Sequence, residues 1–148
     1  MSAALRFVSF GGWAAFLLLL LASIGAEAAG VSKVDARKVR SIIQAQLSAF
    51  AADDAARAFS YAAPAIREMF GTPERFIEMV RKGYPVVYRP ASVSFLEPEG
   101  LDGTVIQAVE MTDASGAAWV ALYRLQRQRD GSWRINGCEL APGAGRGT

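Results

Sequence analysis

Between Met69 and Phe76 the chain sets a helix stop directly before a helix start, and this joint governs how the rest can be arranged. Gly71 adopts left-handed backbone without a Cβ clash, which suits the end of a helix. Thr72 offers a hydroxyl to cap the next helix, and Pro73 stands at its first position, where the missing N–H costs nothing. Upstream of the joint, apolar residues recur at helical steps. A short way downstream they alternate as in strands. The expected fold class is α+β, with N-terminal helices packed on an antiparallel sheet of about four strands.

The chain's 148 residues suffice for one domain with a core. Sixteen Lys and Arg stand against fourteen Asp and Glu, a net +2, with no basic run that would form a stripe. No nucleic-acid partner is expected. Histidine is absent, which removes the commonest metal ligand and every Ser-His-Asp or Cys-His arrangement. Cys138 is the only cysteine, so neither an internal disulfide nor a cysteine zinc cluster can form. No cofactor and no metal are expected.

Arg6 precedes an uncharged run from Phe7 to Ala26, and Ala26-Glu27-Ala28 gives a small-x-small exit. Together these make a secretory signal peptide over 1–28, with cleavage after Ala28 and a location outside the cytoplasm, periplasmic or secreted. The alternative is an uncleaved inner-membrane anchor, since the uncharged run is roughly 20 residues and spans a bilayer. In both cases the domain at 29–141 lies outside the cytoplasm, followed by a flexible tail at 142–148. Membrane contact is expected only for the uncleaved form.

Ser32 with Asp35 resembles a capping box and starts the first helix near Lys33. Val39, Ile42, Ile43, Gln46, Leu47 and Phe50 form its apolar stripe, in which Gln46 is the one polar member. Such a residue most often sits at the stripe's edge and meets water; the other option is a pocket. Asp53-Asp54 reads as the cap of a second helix rather than as a paired-carboxylate site, because neighbours on a helix end point in different directions. Pro64 opens a further short turn that closes at Gly71, and a last helix runs from Thr72 to Lys82.

Tyr84-Pro85-Val86-Val87-Tyr88-Arg89-Pro90 reads as extended, since the residue before each proline is pushed out of the α region. Strands follow at Ser92–Leu96, Thr104–Thr112, Ala117–Gln128 and Trp133–Leu140, with turns at Glu97–Gly100 and Asp113–Gly116 and an Asp130-Gly131 hairpin. In the long strand, Trp119, Ala121, Tyr123 and Leu125 share one face, and Ala118, Val120 and Leu122 share the other. Both faces are apolar, so a covering layer is expected on each: helices on one, and on the other a second copy joined sheet to sheet, the alternative being a monomer whose sheet curls enough to bury its own residues. A bulge at Asn136-Gly137 would bring Trp133, Ile135, Cys138 and Leu140 to one face, making Cys138 a core residue rather than a reactive thiol.

Helices followed by a sheet that ends in Asp-Gly-Ser-Trp-Arg-Ile resemble the cone-shaped, curved-sheet fold of the nuclear transport factor 2-like superfamily. More specifically, Gln46 to Asp54, Pro64-Ala65-Ile66-Arg67, Phe70 to Phe76, Tyr84 to Pro90 and Trp133 to Cys138 resemble the bacterial family called domain of unknown function 4864. The superfamily resemblance implies a pocket between the helices and the concave sheet. The family carries no established activity. The expected function is thus a non-enzymatic exported module of the cell envelope that binds a small apolar or anionic ligand or a protein. Tyr84, Tyr88, Arg67, Arg75 and Arg89 are the candidate ligand-binding residues, able to hold an anionic group beside an apolar body. The bland reading packs these tyrosines at the cone mouth and leaves the arginines solvated or paired. The alternative is an isomerase or lyase, with Glu110 or Asp53 as base and Tyr88 as donor. No residue matches a known catalytic motif.

Overall fold

A computed structural model describes residues 30–144, so the 1–28 segment and the end of the tail lie outside the described residues. Helix α1 spans Lys33–Ala51, with Val39, Ile43, Gln46, Leu47 and Phe50 on its buried face. Ser32 caps it by accepting from the Asp35 amide at 3.1 Å. The Asp35 carboxylate does not complete a capping box but crosses to the sheet, where it accepts from Trp133 Nε1 at 3.2 Å and pairs with Arg127.

The end of α1 separates the two neighbouring aspartates. Asp53 has φ +53° and takes the left-handed position that closes the helix. Its amide bonds Phe50 O at 3.0 Å, and the Asp54 amide bonds Ala49 O at 2.9 Å. Asp54 then caps α2 (Ala55–Ser60) through the Arg57 amide at 3.1 Å.

Helix α3 (Pro64–Phe70) ends at Gly71, whose φ of +74° is the left-handed cap expected there. Helix α4 (Pro73–Gly83) begins with Thr72 accepting from the Arg75 amide at 3.3 Å. The next segment departs from expectation, because Pro85–Tyr88 is one turn of helix, α5, rather than extended chain. The proline rule still holds at its ends: Tyr84 (φ −136°, ψ 57°) and Arg89 (φ −146°, ψ 73°), the residues before each proline, both lie outside the α region. Between them Pro85 starts a turn that turns Val86 and Val87 into the core.

The antiparallel sheet has five strands, β1 (Ser92–Phe95), β2 (Glu99–Leu101), β3 (Thr104–Thr112), β4 (Ala118–Arg127) and β5 (Trp133–Pro142). Their order is β1-β3-β4-β5, and β2 pairs with the opening of β3 beyond β1. Strand β2 was not expected. Its turn carries Asp102 and Gly103 at φ +42° and +73°, the two left-handed residues of a tight hairpin. An Asp-Gly pair was therefore present in the sequence to mark it.

In the β4–β5 ladder, Arg124 pairs with Gly137 and Leu125 with Ile135, leaving Asn136 as the extra residue of the expected bulge. Past it, Cys138 and Leu140 return to the side of Trp133 and Ile135 and pack against the core. A short bridge from Ala62 to Ile135, with Ala63 N bonding Ile135 O at 2.7 Å, fastens the helical layer to β5.

All the helices pack on one face of the sheet. That face carries Val105, Gln107, Val109 and Met111 from β3 and Ala121, Tyr123 and Leu125 from β4, all buried. Trp119 is on the same face, partly buried, and donates to Asp113 at 3.0 Å. The other face carries Val120, Leu122, Arg124, Glu110 and Glu139, and no described residue covers it; Leu122 is 40% exposed.

Candidate functional site

The helices do not fill the concave face completely. A cavity of about 250 Å³ remains between α1, α3, α4 and the sheet. Gln46 and Phe50 of α1 and Val87 of α5 form one wall, and Tyr123, Ile135 and Cys138 of the sheet form the opposite one. Ile66, Met69 and Phe70 of α3, with Phe76, Met79 and Val80 of α4, Tyr84, Ala62 and Gly137, complete the lining. Helix α3 buries none of its residues fully, and Met69 is 73% exposed, so this short helix forms the rim. Its position follows from the joint at Gly71-Thr72, which turns α4 back beneath it. Phe70 meets Phe76 edge to face at 5.7 Å between ring centres.

Polar groups in the lining are few and neutral. Gln46 is 3% exposed, so it does not sit at a wet stripe edge; its Nε2 donates to Ala58 O at 3.1 Å. Its Oε1 has no partner among the described residues, and unlike Tyr123 OH it is not fully sealed from solvent-sized space. Tyr123 is 1% exposed, and its hydroxyl is the one fully enclosed side-chain polar atom without a partner among the described residues. Cys138 faces it across the ladder without completing a hydrogen bond. Burial, together with the Cys138 thiol, raises the Tyr123 pKa well above its ordinary value. Burial likewise pushes the Cys138 thiol up to about 12, which keeps it protonated and unreactive.

The five candidate ligand-binding residues are not brought to one place. Tyr84 lines the cavity. Tyr88 and Arg89 meet Asp53 on the outer surface, where Tyr88 OH donates to Asp53 Oδ1, Arg89 Nη2 donates to Oδ2 at 3.1 Å, and Arg89 Nη1 donates to Ala51 O at 2.7 Å. Arg81 joins them at 3.7 Å from Asp53, and the Tyr88 ring lies under both guanidinium groups. The Tyr88 hydrogen bond, aided by the charges of Arg89 and Arg81, lowers the Asp53 pKa. This cluster pins α5 to the end of α1 and offsets a left-handed backbone at a non-glycine residue. Arg67 is exposed and stacks over the Phe59 ring at 5.4 Å, and Arg75 is exposed on α4.

The pair imagined for acid–base chemistry is divided as well. Asp53 does contact Tyr88, but at the surface, and Glu110 lies on the far face of the sheet. No carboxylate lines the cavity. Among the described residues no group of three or more acidic, histidine or cysteine side chains is placed to hold a metal.

Sequence reasoning had Gln46 only as the less common option, and it put Tyr123 with Trp119, Ala121 and Leu125 on one face of the strand without saying which face the helices cover or connecting it to a pocket. The signals were the lone amide in α1's apolar stripe and the bulge that sets Cys138 beside Tyr123. What neither signal conveys is that the packed helices leave space between them. No curated protein and no solved structure matches the chain. A family model does match, over residues 32–148 and so across all five helices and all five strands, and the chain belongs to the family described as Domain of unknown function (DUF4864).

Proposed function

We propose that this chain is a non-enzymatic binding module of the cell envelope that takes a small, largely apolar molecule in the cavity between its helices and the concave face of its sheet. The observation that carries this reading is the cavity itself, walled by aromatic and aliphatic side chains with a few neutral polar groups. That composition is typical of ligand sites, and 250 Å³ lies just below the usual range of about 300–1,000 Å³, which points to a compact ligand. The isomerase or lyase alternative needs a carboxylate base within the pocket, and the lining supplies none. Placement in the envelope rests on the export signal read in residues 1–28.

Titration with naphthalene, followed through methyl resonances, tests the cavity. Ile66, Met79 and Ile135 should shift saturably while Leu122, on the opposite face of the sheet, stays unmoved. No shift, or shifts concentrated at Leu122, would refute it. Export is tested separately by sequencing the N-terminus of the mature protein, which should begin at Ala29; a start at Ser2 in the membrane fraction would favour the anchor.

A further inference from the structure

One reachable polar atom in the cavity wall is unused. Gln46 lines the cavity and is 3% exposed. Only the nitrogen of its amide can donate to a carbonyl, so the bond from Nε2 to Ala58 O at 3.1 Å fixes which end of the amide is which. Oε1 is left with no partner among the described residues. Protein does not enclose that oxygen as it encloses the Tyr123 hydroxyl, so the little surface Gln46 keeps opens into the cavity that its side chain lines. The Tyr123 hydroxyl is sealed off and takes no part. No charged side chain belongs to the lining, so an anionic group would meet no cation there.

An amide oxygen accepts and never donates. A ligand without a donor would strip water from Oε1 and return nothing, which penalises its binding. A ligand N–H or O–H aimed at Oε1 keeps that oxygen paired and is itself spared an unpaired burial. Size sets a second limit: an apolar cavity of about 150 Å³ takes benzene, and 250 Å³ has room for two fused rings.

We infer that the cavity selects an uncharged, compact ring molecule carrying an N–H or O–H donor, which bonds Gln46 Oε1. This inference rests on the binding reading above and narrows it, from apolar molecules in general to those that bring a donor.

Indole and benzofuran test it as a matched pair. They share a shape and differ in one ring atom, an N–H donor in the first and an oxygen that only accepts in the second. Apolar surroundings alone favour benzofuran, because an unpaired N–H is costly to bury, so a preference for indole requires an acceptor in the wall. Calorimetric titration of the purified protein should show indole binding about fivefold more tightly than benzofuran. The Gln46 side-chain carbonyl carbon resonance should shift as indole saturates. Gln46→Met keeps an unbranched side chain and removes the amide, while Ala58 O retains the Tyr61 amide at 3.4 Å. In that variant the order should reverse, with benzofuran about twofold tighter or more. Benzofuran binding the wild type as tightly as indole, or more tightly, would overturn the inference and leave the cavity reading standing; that outcome includes an amide that meets ligands through the second hydrogen of Nε2. An unmoved Gln46 carbonyl carbon, or a preference for indole that persists in folded Gln46→Met, would overturn the assignment to Gln46, and the first of these needs no variant. Failure of both probes to bind would overturn the cavity reading and this inference together.

Discussion

Replacing Tyr123 by phenylalanine should stabilise the protein, the reverse of the usual result for a fully buried residue. The Tyr123 side chain is 1% exposed, and its hydroxyl finds no partner among the described residues. Folding therefore strips water from that hydroxyl with nothing in return, a cost of about 1–3 kcal/mol. Tyr123→Phe removes this cost. It also leaves a void the size of one oxygen, roughly 10–15 Å³, which at about 24 cal/mol per Å³ subtracts about 0.3 kcal/mol. The net gain is about 1 kcal/mol or more. For a domain of this length that is a rise in Tm of about 3–5 °C. Urea unfolding monitored by circular dichroism would measure it, with an unchanged m-value showing that the native and unfolded states keep their compactness. Had the hydroxyl made an ordinary hydrogen bond, the same variant would lose about 0.5–1.5 kcal/mol, so the sign alone discriminates. A loss of about 1 kcal/mol would show that the hydroxyl is satisfied in solution, with the facing Cys138 thiol as the partner to suspect, and the reasoning from an enclosed, unpartnered hydroxyl would fail.

At the helix joint, Gly71→Val forces a β-branched residue to a φ of +74° and should cost about 1–2 kcal/mol or more, and Thr72→Ala should cost about 1 kcal/mol by removing the cap. Thermal unfolding unchanged in both would refute the part assigned to that joint. Asp113 accepts from Ser115, Trp119 and Ala117, and these bonds, Ser115 foremost, lower its pKa to about 2. Its contribution is present above the unfolded value near 3.9 and is lost as pH falls toward about 2. Asp113→Asn should therefore flatten the fall in Tm between about pH 4 and 2, and an unaltered profile would show that the turn draws no stability from the carboxylate. For the uncovered sheet face, we propose the sheet-to-sheet homodimer, with Val120 and Leu122 central and the exposed Arg124 of one copy meeting Glu110 or Glu139 of the other. Light scattering at micromolar concentration should give a dimer that Leu122→Glu splits without unfolding it, and a wild-type monomer would end the idea.

Much of the fold was legible because it is written in local rules. The helix joint needs only Gly71, Thr72 and Pro73, and each acts through its own backbone or a neighbour within one turn. The bulge could be read from a change of parity between Ile135 and Cys138, since side chains alternate strictly along a strand. Where two local rules competed, the sequence misled. The residues before Pro85 and Pro90 obeyed the steric rule, but the four between them, Pro85 to Tyr88, were free to make a helical turn and did so, because that turn buries Val86 and Val87. Strand β2 was passed over although Asp102-Gly103 announced it.

The candidate site was decided by packing at long range, to which periodicity is blind. Tyr84 and Tyr88 are four residues apart, yet α5 sends the first to the cavity and the second to Asp53 on the surface, 35 residues away in the chain. Gln46 looked like an edge residue because its stripe is apolar on both sides. Only the arrival of α2 supplies the Ala58 carbonyl that makes its burial affordable. From the sequence alone came the absence of histidine, the single cysteine and the division into helices and sheet, which together exclude whole classes of chemistry. Whether those layers meet without a gap depends on side chains from α1, α3, α4 and β5 fitting together in three dimensions, and it is the small mismatch among them that leaves the cavity.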